Sequence, residues 1–167
     1  MKEAVRLSDY AEHIQEALSK GILLNTNGDK FNAMVIAWGN LGLTWGMPTF
    51  VAYVRESRYS KAQIDKTGEF TLSIPLGEPD AVITKVCGSQ SGRDIDKVKE
   101  AGLTLEPSEV NQTPGVREYP LTLECKVLYA QEQALSGLPD VLREKFYPQG
   151  DAHTTYIAQI LKAYIIR

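Results

Sequence analysis

The sequence predicts a mainly β fold with α additions, a closed or nearly closed antiparallel barrel with helices at its ends. Two observations carry this. Six runs rich in Val, Ile, Leu, Phe and Tyr recur along the chain, and the helix-like stretches between them are short and often closed by glycine. The pair Asn27-Gly28 joins two of these runs directly, and Asn-Gly supplies the positive φ angles of a tight hairpin turn.

The first element is a helix over about residues 8–18. Tyr10, Ile14, Ala17 and Leu18 recur there at helical spacing, and Asp9 with Glu12 forms a capping-box pattern. His13 lies in this helix without a partner motif and is assigned no role. Strands follow at 22–26 and 31–38, then at 49–54, which runs directly into an arginine cluster. A short helix starting near Ser60 and closed by Gly68 leads to a strand at 69–74. Residues 80–87 read as a helix, 88–92 as a Gly/Ser loop, and 94–101 as a helix whose Ile95, Val98 and Ala101 make one apolar stripe. The strand at 121–129 places Leu121, Leu123, Cys125 and Val127 on one face, so Cys125 is read as a packing residue. A helix at 139–146 and a strand at 154–166 complete the pattern.

With 167 residues the chain has room for one domain with a proper core, so residues 1–167 are read as a single domain. No apolar run approaches the roughly 20 residues that span a bilayer, and no secretory leader is visible. No membrane association and a cytoplasmic location are therefore expected. Cys87 and Cys125 are far apart, which argues against a metal knuckle or disulfide framework, and no metal site is expected. The net charge of −3 and the scattered Lys and Arg argue against nucleic acid as a partner.

The segment Arg55-Glu56-Ser57-Arg58-Tyr59-Ser60 carries the strongest chemical signal, because two guanidiniums and two seryl hydroxyls precede a helix. Ser60 and Gln63 fit the S-x-x-Q capping box, which predicts free N–H groups and a partial positive charge at the helix mouth. Arg55 and Arg58 add planar forks that match phosphate oxygens. One strand earlier, Asn32, the small Ala33 and Ala37, and Trp38 suit a flat ligand lying against backbone.

These residues, taken together, resemble a known family. The pattern Asn32-x-Met34-x-x-x-Trp38-Gly39, Trp45-Gly46-x-Pro48, Val54-Arg55-x-Ser57-Arg58-Tyr59-Ser60 and Gly68-Glu69-Phe70 is similar to the flavin reductase-like, FMN-binding split β-barrel family, in particular its flavoredoxin-like branch. Cys87-Gly88-x-x-Ser91-Gly92-Arg93-Asp94-x-Asp96-Lys97, Glu124-Cys125-Lys126-Val127 and Phe146-Tyr147-Pro148-x-Gly150-Asp151-x-His153 continue the resemblance in order, over roughly residues 20–165. It implies a homodimer with one FMN per subunit near the dimer interface. Arg55, Ser57, Arg58, Tyr59 and Ser60 would hold the phosphate, and Asn32 with the backbone of Met34, Val35, Ile36 and Ala37 would run beside the isoalloxazine ring, with Trp38 close by. Cys87, Gly88, Ser91 and Gly92 would close over the ribityl and phosphate side. His153 is the one candidate for a catalytic role.

Three positions depart from the family pattern. Val35 stands where a Thr is common, Ala37 where Gly is frequent, and Gln159 where an acid is usual. The implied function is electron transfer between a nicotinamide (NADH or NADPH) or an electron-transfer protein and an acceptor. Two other readings remain open at the level of sequence: a non-catalytic flavin-binding module, and a reductase that uses FMN as a diffusible substrate.

Overall fold

The computed structural model describes all residues from Met1 to Arg167. Its strands are β1 (Lys2–Ala4), β2 (Ile22–Asn27), β3 (Phe31–Ile36), β4 (Gly39–Thr44), β5 (Met47–Arg55), β6 (Glu69–Ile74), β7 (Leu105–Glu106), β8 (Gly115–Val116), β9 (Leu121–Glu132) and β10 (His153–Ile166). The helices are α1 (Leu7–Lys20), α2 (Tyr59–Thr67), α3 (Ala81–Ser89), α4 (Lys97–Ala101) and α5 (Asp140–Phe146). No helix is long and apolar enough to cross a membrane.

Hydrogen-bonded neighbours in the main sheet run β3-β2-β6-β9-β10-β5-β4, with β1 paired to β10. Every pairing is antiparallel. One apolar interior receives Leu24 and Met34 from one end of this path, Leu72 and Leu123 from its middle, and Phe50 and Val54 from the other end. Only a curled sheet brings those side chains together. The curl leaves β3 and β4 unpaired with each other although Ala37 and Trp38 alone separate them in sequence. The barrel is thus split at the place where the chain steps from β3 to β4.

A second apolar cluster forms outside the barrel, where Leu23 and Ala33 meet Ile83, Val86, Cys87 and Ala101 from α3 and α4. It seats these two helices against β2 and β3, next to the split.

Several local expectations are corrected. Asn27-Gly28 does not make a two-residue turn: Asn27 pairs with Phe31, leaving a three-residue loop in which Gly28 does not have positive φ. Gly28 is close-packed instead, its amide donating to Gln63 Oε1 at 2.6 Å and a Cβ there meeting that side chain at 3.1 Å. The two-residue hairpin lies at Trp45-Gly46, with φ of 53° and 73°, and joins β4 to β5, although no strand was expected between residues 38 and 49. Asp9 does not cap α1; it pairs with Arg6 at 2.8 Å, and Glu12 makes no cap bond. His13 is tied rather than free, with Nε2 2.8 Å from the carbonyl of Pro75. The helix expected at 94–101 begins only at Lys97, because Asp96 accepts from Val98 and Lys99 amides as N-cap.

Leu121, Leu123 and Cys125 face the interior as expected, and burial pushes the Cys125 thiol far up. The opposite face of β9 is covered as well. Glu124 is fully buried and accepts from the amides of Glu109, Val110 and Asn111 at 2.7, 2.9 and 2.9 Å. On the neighbouring strand, Glu69 accepts from the amides of Gln112 and Thr113. Two carboxylates therefore supply the hydrogen bonds that a loop of residues 107–114 cannot make within itself. Charge-assisted bonds are worth about 1.5–3 kcal/mol each, so Glu124→Ala should destabilise the fold by roughly 3 kcal/mol or more. Urea denaturation checks this: a loss below about 1 kcal/mol would show that the loop is held by something else.

Candidate functional site

The split opens into one continuous depression with two compartments that share Met34, Val35 and Arg58. The smaller, of about 200 Å³, is lined by the chain from Met34 to Trp38 and by Tyr53, Arg55 and His153. The larger, of about 410 Å³, is lined by Asn32, by residues 57–60, by Lys97 and by the turn from Cys87 to Asp94. The residues expected at the site from sequence reach one compartment or the other, except Ala33, which is fully buried and packs in the second apolar cluster instead of facing a ligand. The topology explains this: β3 supplies one wall, β5 and the start of α2 the second, and the end of α3 with its following turn the third.

The start of α2 is built differently from the expectation. Arg58 is the N-cap and offers no side-chain cap, and Ser60 lies inside the first turn, fully buried. Ser60 Oγ accepts from Asn32 Nδ2 at 2.9 Å, binding α2 to β3. Gln63 turns away from the helix mouth, its Oε1 taking the amides of Gly28 and Asp29 and its Nε2 donating to Thr26. The S-x-x-Q pattern is therefore a pair of tertiary anchors. Tyr59 and Ser60, the first residues of α2, line the larger compartment, so it borders the end of the helix where backbone donors are left over.

The two arginines play unequal parts. Arg55 donates to the carbonyls of Phe146 and Asp151, both at 3.0 Å, and stacks over the Tyr147 ring at 4.9 Å. Its fork is committed to the segment between α5 and β10. Arg58 is exposed, makes no side-chain hydrogen bond or ion pair, and borders both compartments. Ser57 is held by Asp151, which accepts from its amide at 2.9 Å and its hydroxyl at 2.7 Å. Burial raises the Asp151 carboxyl, but the two Ser57 bonds and the charges of Arg55 and Arg58 outweigh it and hold it below its ordinary value. Asp151 fixes the shape of the turn ahead of α2.

Two cations that the family motif contains were given no role from the sequence. Lys97 is 4% exposed and has no carboxylate partner; Nζ donates to the carbonyls of Ala33 at 2.7 Å and Cys87 at 3.3 Å. Burial pulls its affinity for a proton down, Cys87 opposes this, and the charge of Arg58 adds to it. A lysine in a short amphipathic stretch looks like a solvated one, and only the packing of α4 on β3 turns it inward. Arg93 stacks on the Tyr59 ring at 5.3 Å and donates to the carbonyl of Ser57 at 3.1 Å, clamping the turn after α3 onto the turn before α2.

In the wall of the larger compartment Asn32 is 1% exposed, and its Oδ1 has no hydrogen-bond partner. A buried acceptor at a cavity wall is complete only when something in the cavity donates to it. Gly92 has to be glycine here, since a Cβ would lie 2.1 Å from Asn32 Oδ1. Val35 is seated by two glycines: a Cβ at Gly21 would stand 2.7 Å from its Cγ1, and one at Gly88 3.6 Å from its Cγ2. Cys87 is buried, and its thiol is pushed up by burial against the opposing effect of Lys97, so it sits there as a thiol. Gln159 pairs with Thr49 and Lys126 in mid-strand and touches neither compartment.

The smaller compartment has an aromatic wall. Trp38 packs edge-on against Phe146 and tilted against His153, each at 5.3 Å between centroids. His153 sits directly across the ladder from Arg55. Its Nδ1 lies 2.7 Å from the Tyr147 hydroxyl. Burial and then the charge of Arg55 lower its pKa from 6.5 to about 4, with Asp151 opposing and Arg58 assisting. The imidazole is therefore neutral at pH 7. Between pH 6.5 and 4 the unfolded chain takes up a proton that the folded chain refuses, so stability falls as pH drops through that window. We expect urea midpoints to fall more steeply between pH 6.5 and 4.5 in the wild type than in His153→Gln; parallel profiles would contradict a neutral buried imidazole.

Comparison with known proteins places this architecture. An uncharacterised protein of Archaeoglobus fulgidus is 28% identical over 106 residues, 64% of this chain and 59% of that protein. This chain thus matches less than two thirds of the length of that relative. The flavoredoxin of Desulfovibrio vulgaris superposes with a TM-score of 0.70 at 25% identity, over 88% of this chain and 69% of that one. A flavoredoxin from Methanosarcina acetivorans gives a TM-score of 0.68 at 22% identity, over 89% and 69%. The family model of the flavin reductase like domain matches residues 16–167, and the chain belongs to that family.

Proposed function

We propose that this chain is an FMN-binding flavoprotein that passes electrons from a nicotinamide or protein donor to an acceptor. The observation that carries the reading is the polarity gradient along the split. One compartment gathers Arg58, Lys97 and seryl hydroxyls against a single carboxylate, Asp94, and the other is mainly apolar and aromatic, with Arg55 and Arg58 as its charged lining. The orphaned Asn32 Oδ1 belongs to the wall of the larger one, beside Met34 and Val35, which both compartments share. A ligand with an anionic end, a hydroxylated middle and a flat ring matches that order, and FMN has it. A similar fold, the FMN-binding domain of a flavin reductase-like enzyme from Shewanella baltica, supports the same ligand.

In this reading Arg58, Lys97 and the first amides of α2 hold the phosphate, and Tyr59, Ser60, Ser91 and Gly92 shape its pocket. Asn32 accepts from a ribityl hydroxyl. Met34, Val35, Ile36, Ala37 and Trp38 lie along the ring and keep water from that side, with Cys87 and Gly88 closing the far wall. Arg55 and Ser57 act one step back, by holding the turns that carry the other groups. Bound flavin supplies one- and two-electron transfer, which no side chain of the protein can. Trp38, 43% exposed, leaves the mouth open to a donor, an acceptor or the partner subunit of a homodimer.

The same openness favours a second reading, a reductase that takes FMN as a diffusible substrate. Retention separates the two. Freshly purified protein should show the visible absorption of a flavin, with FMN released on heating at about one per chain; colourless protein that oxidises NADH or NADPH only with added FMN would support the diffusible substrate. Protein that neither carries nor binds FMN would sink both.

Substitutions should separate the roles of the charged groups. Arg58→Ala and Lys97→Met each remove a charged donor worth about 1.5–3 kcal/mol, so FMN affinity should fall at least about tenfold for each. Gly92→Ala should weaken binding to a similar degree by displacing Asn32, while Arg55→Ala should act less on affinity than Arg58→Ala. Titration of tryptophan or flavin fluorescence measures all four, and an Arg58→Ala protein with unchanged affinity would remove that residue from the phosphate site.

A further inference from the structure

The contact between Tyr147 and His153 decides what kind of group the smaller compartment offers. The Tyr147 hydroxyl is buried, and His153 Nδ1 is its one partner. His153 Nε2 has no partner within the chain, yet it is not among the sealed polar atoms, and the ring lines the compartment. One ring nitrogen is therefore occupied from behind, and the other is the edge that a ligand meets.

The direction of the inner hydrogen bond follows from what each arrangement leaves unmet. If Tyr147 accepted from Nδ1–H, its own hydroxyl proton would be buried without an acceptor. If it donates, only a lone pair is left unused, and buried acceptors tolerate this better than buried donors. The Arg55 guanidinium lies over the Tyr147 ring at 4.9 Å, and a cation on that face makes the phenol a stronger donor. The charged groups facing His153 are Arg55, Arg58 and Asp151, and the two cations disfavour an imidazolium. A neutral ring that accepts at Nδ1 carries its proton at Nε2.

We propose that Tyr147 is a positioning residue that fixes His153 as the Nε2–H tautomer, so that His153 presents a hydrogen-bond donor, and not a base, to the smaller compartment. Its complement there is an acceptor atom on a planar molecule, such as a carbonyl or carboxamide oxygen. The proposal rests on the site assigned above but not on the identity of the flavin, because the tautomer is a property of the protein alone.

The test is long-range proton–nitrogen correlation spectroscopy of protein labelled with ¹⁵N in histidine, between pH 6 and 8, with and without added FMN. The chain has two histidines, and His13→Gln assigns the spectrum. We expect His153 Nδ1 to resonate as an unprotonated ring nitrogen and Nε2 as a protonated one. In Tyr147→Phe the same ring should average between tautomers and titrate at higher pH, because the bond that holds Nδ1 as an acceptor is gone. Unchanged His13 signals in that variant show that the fold is intact; if it does not fold, the wild-type tautomer decides alone. A wild-type His153 protonated at Nδ1, averaged between tautomers, or charged at pH 6 overturns the proposal. These readings do not depend on flavin binding, so a colourless protein would defeat the proposed function while leaving this inference standing or falling by its own spectrum.

Discussion

Everything that makes this fold useful depends on the failure of its sheet to close. Antiparallel strands joined by short connections ordinarily become neighbours, as β2 and β3 do. β3 and β4 do not, although two residues separate them, because β4 turns back at Trp45-Gly46 to pair with β5, and β5 is already paired along its other edge with β10. The chain from Ala37 to Trp38 bridges the two ends of a curled ladder. The opening beside it exposes backbone and small side chains that a closed barrel would have sealed.

The open edge is stabilised by side chains that reach from one element to the backbone of another. Lys97 bridges β3 and the end of α3, Arg93 joins two turns, and Arg55 and Asp151 fasten the start of β10 to the end of β5. The same device appears on the far side, where Glu69 and Glu124 hold a loop over β6 and β9. Charged groups with backbone partners are at once anchors and sources of local potential. Around the split, Arg58 and Lys97 have no matching carboxylate, so the cavity stays positive in a chain whose net charge is −3.

A good part of this was legible in the residues themselves. Periodicity found β2, β5, β6, β9 and β10 and the apolar face of α1, because their interior side chains alternate or recur at the helical period. The two compartments collect the residues that the family resemblance assigned to a cofactor, from Asn32 to His153, but not Ala33, which the local pattern had added. Less was legible where a residue's partner lies far along the chain. β4 reads as a glycine-containing loop, since Gly39, Asn40 and Gly42 are poor strand formers, and it is a strand only because β5 offers it an edge. β1, β7 and β8 are likewise short segments made regular by their neighbours.

The amino-acid sequence by itself determined the class of fold and the location of the arginine- and serine-rich turn between β5 and α2, because both follow from local spacing. Tertiary structure decided what each of those groups does. Ser60 and Gln63 have the spacing of a helix cap and became anchors to β3 and β2, since Asn32, Gly28 and Thr26 stood within reach. Arg55 and Arg58 look equivalent, but carbonyls of the segment before β10 engage one and leave the other free. A hydrogen-bonding group takes the best partner that folding brings to it, and that partner is rarely close in sequence.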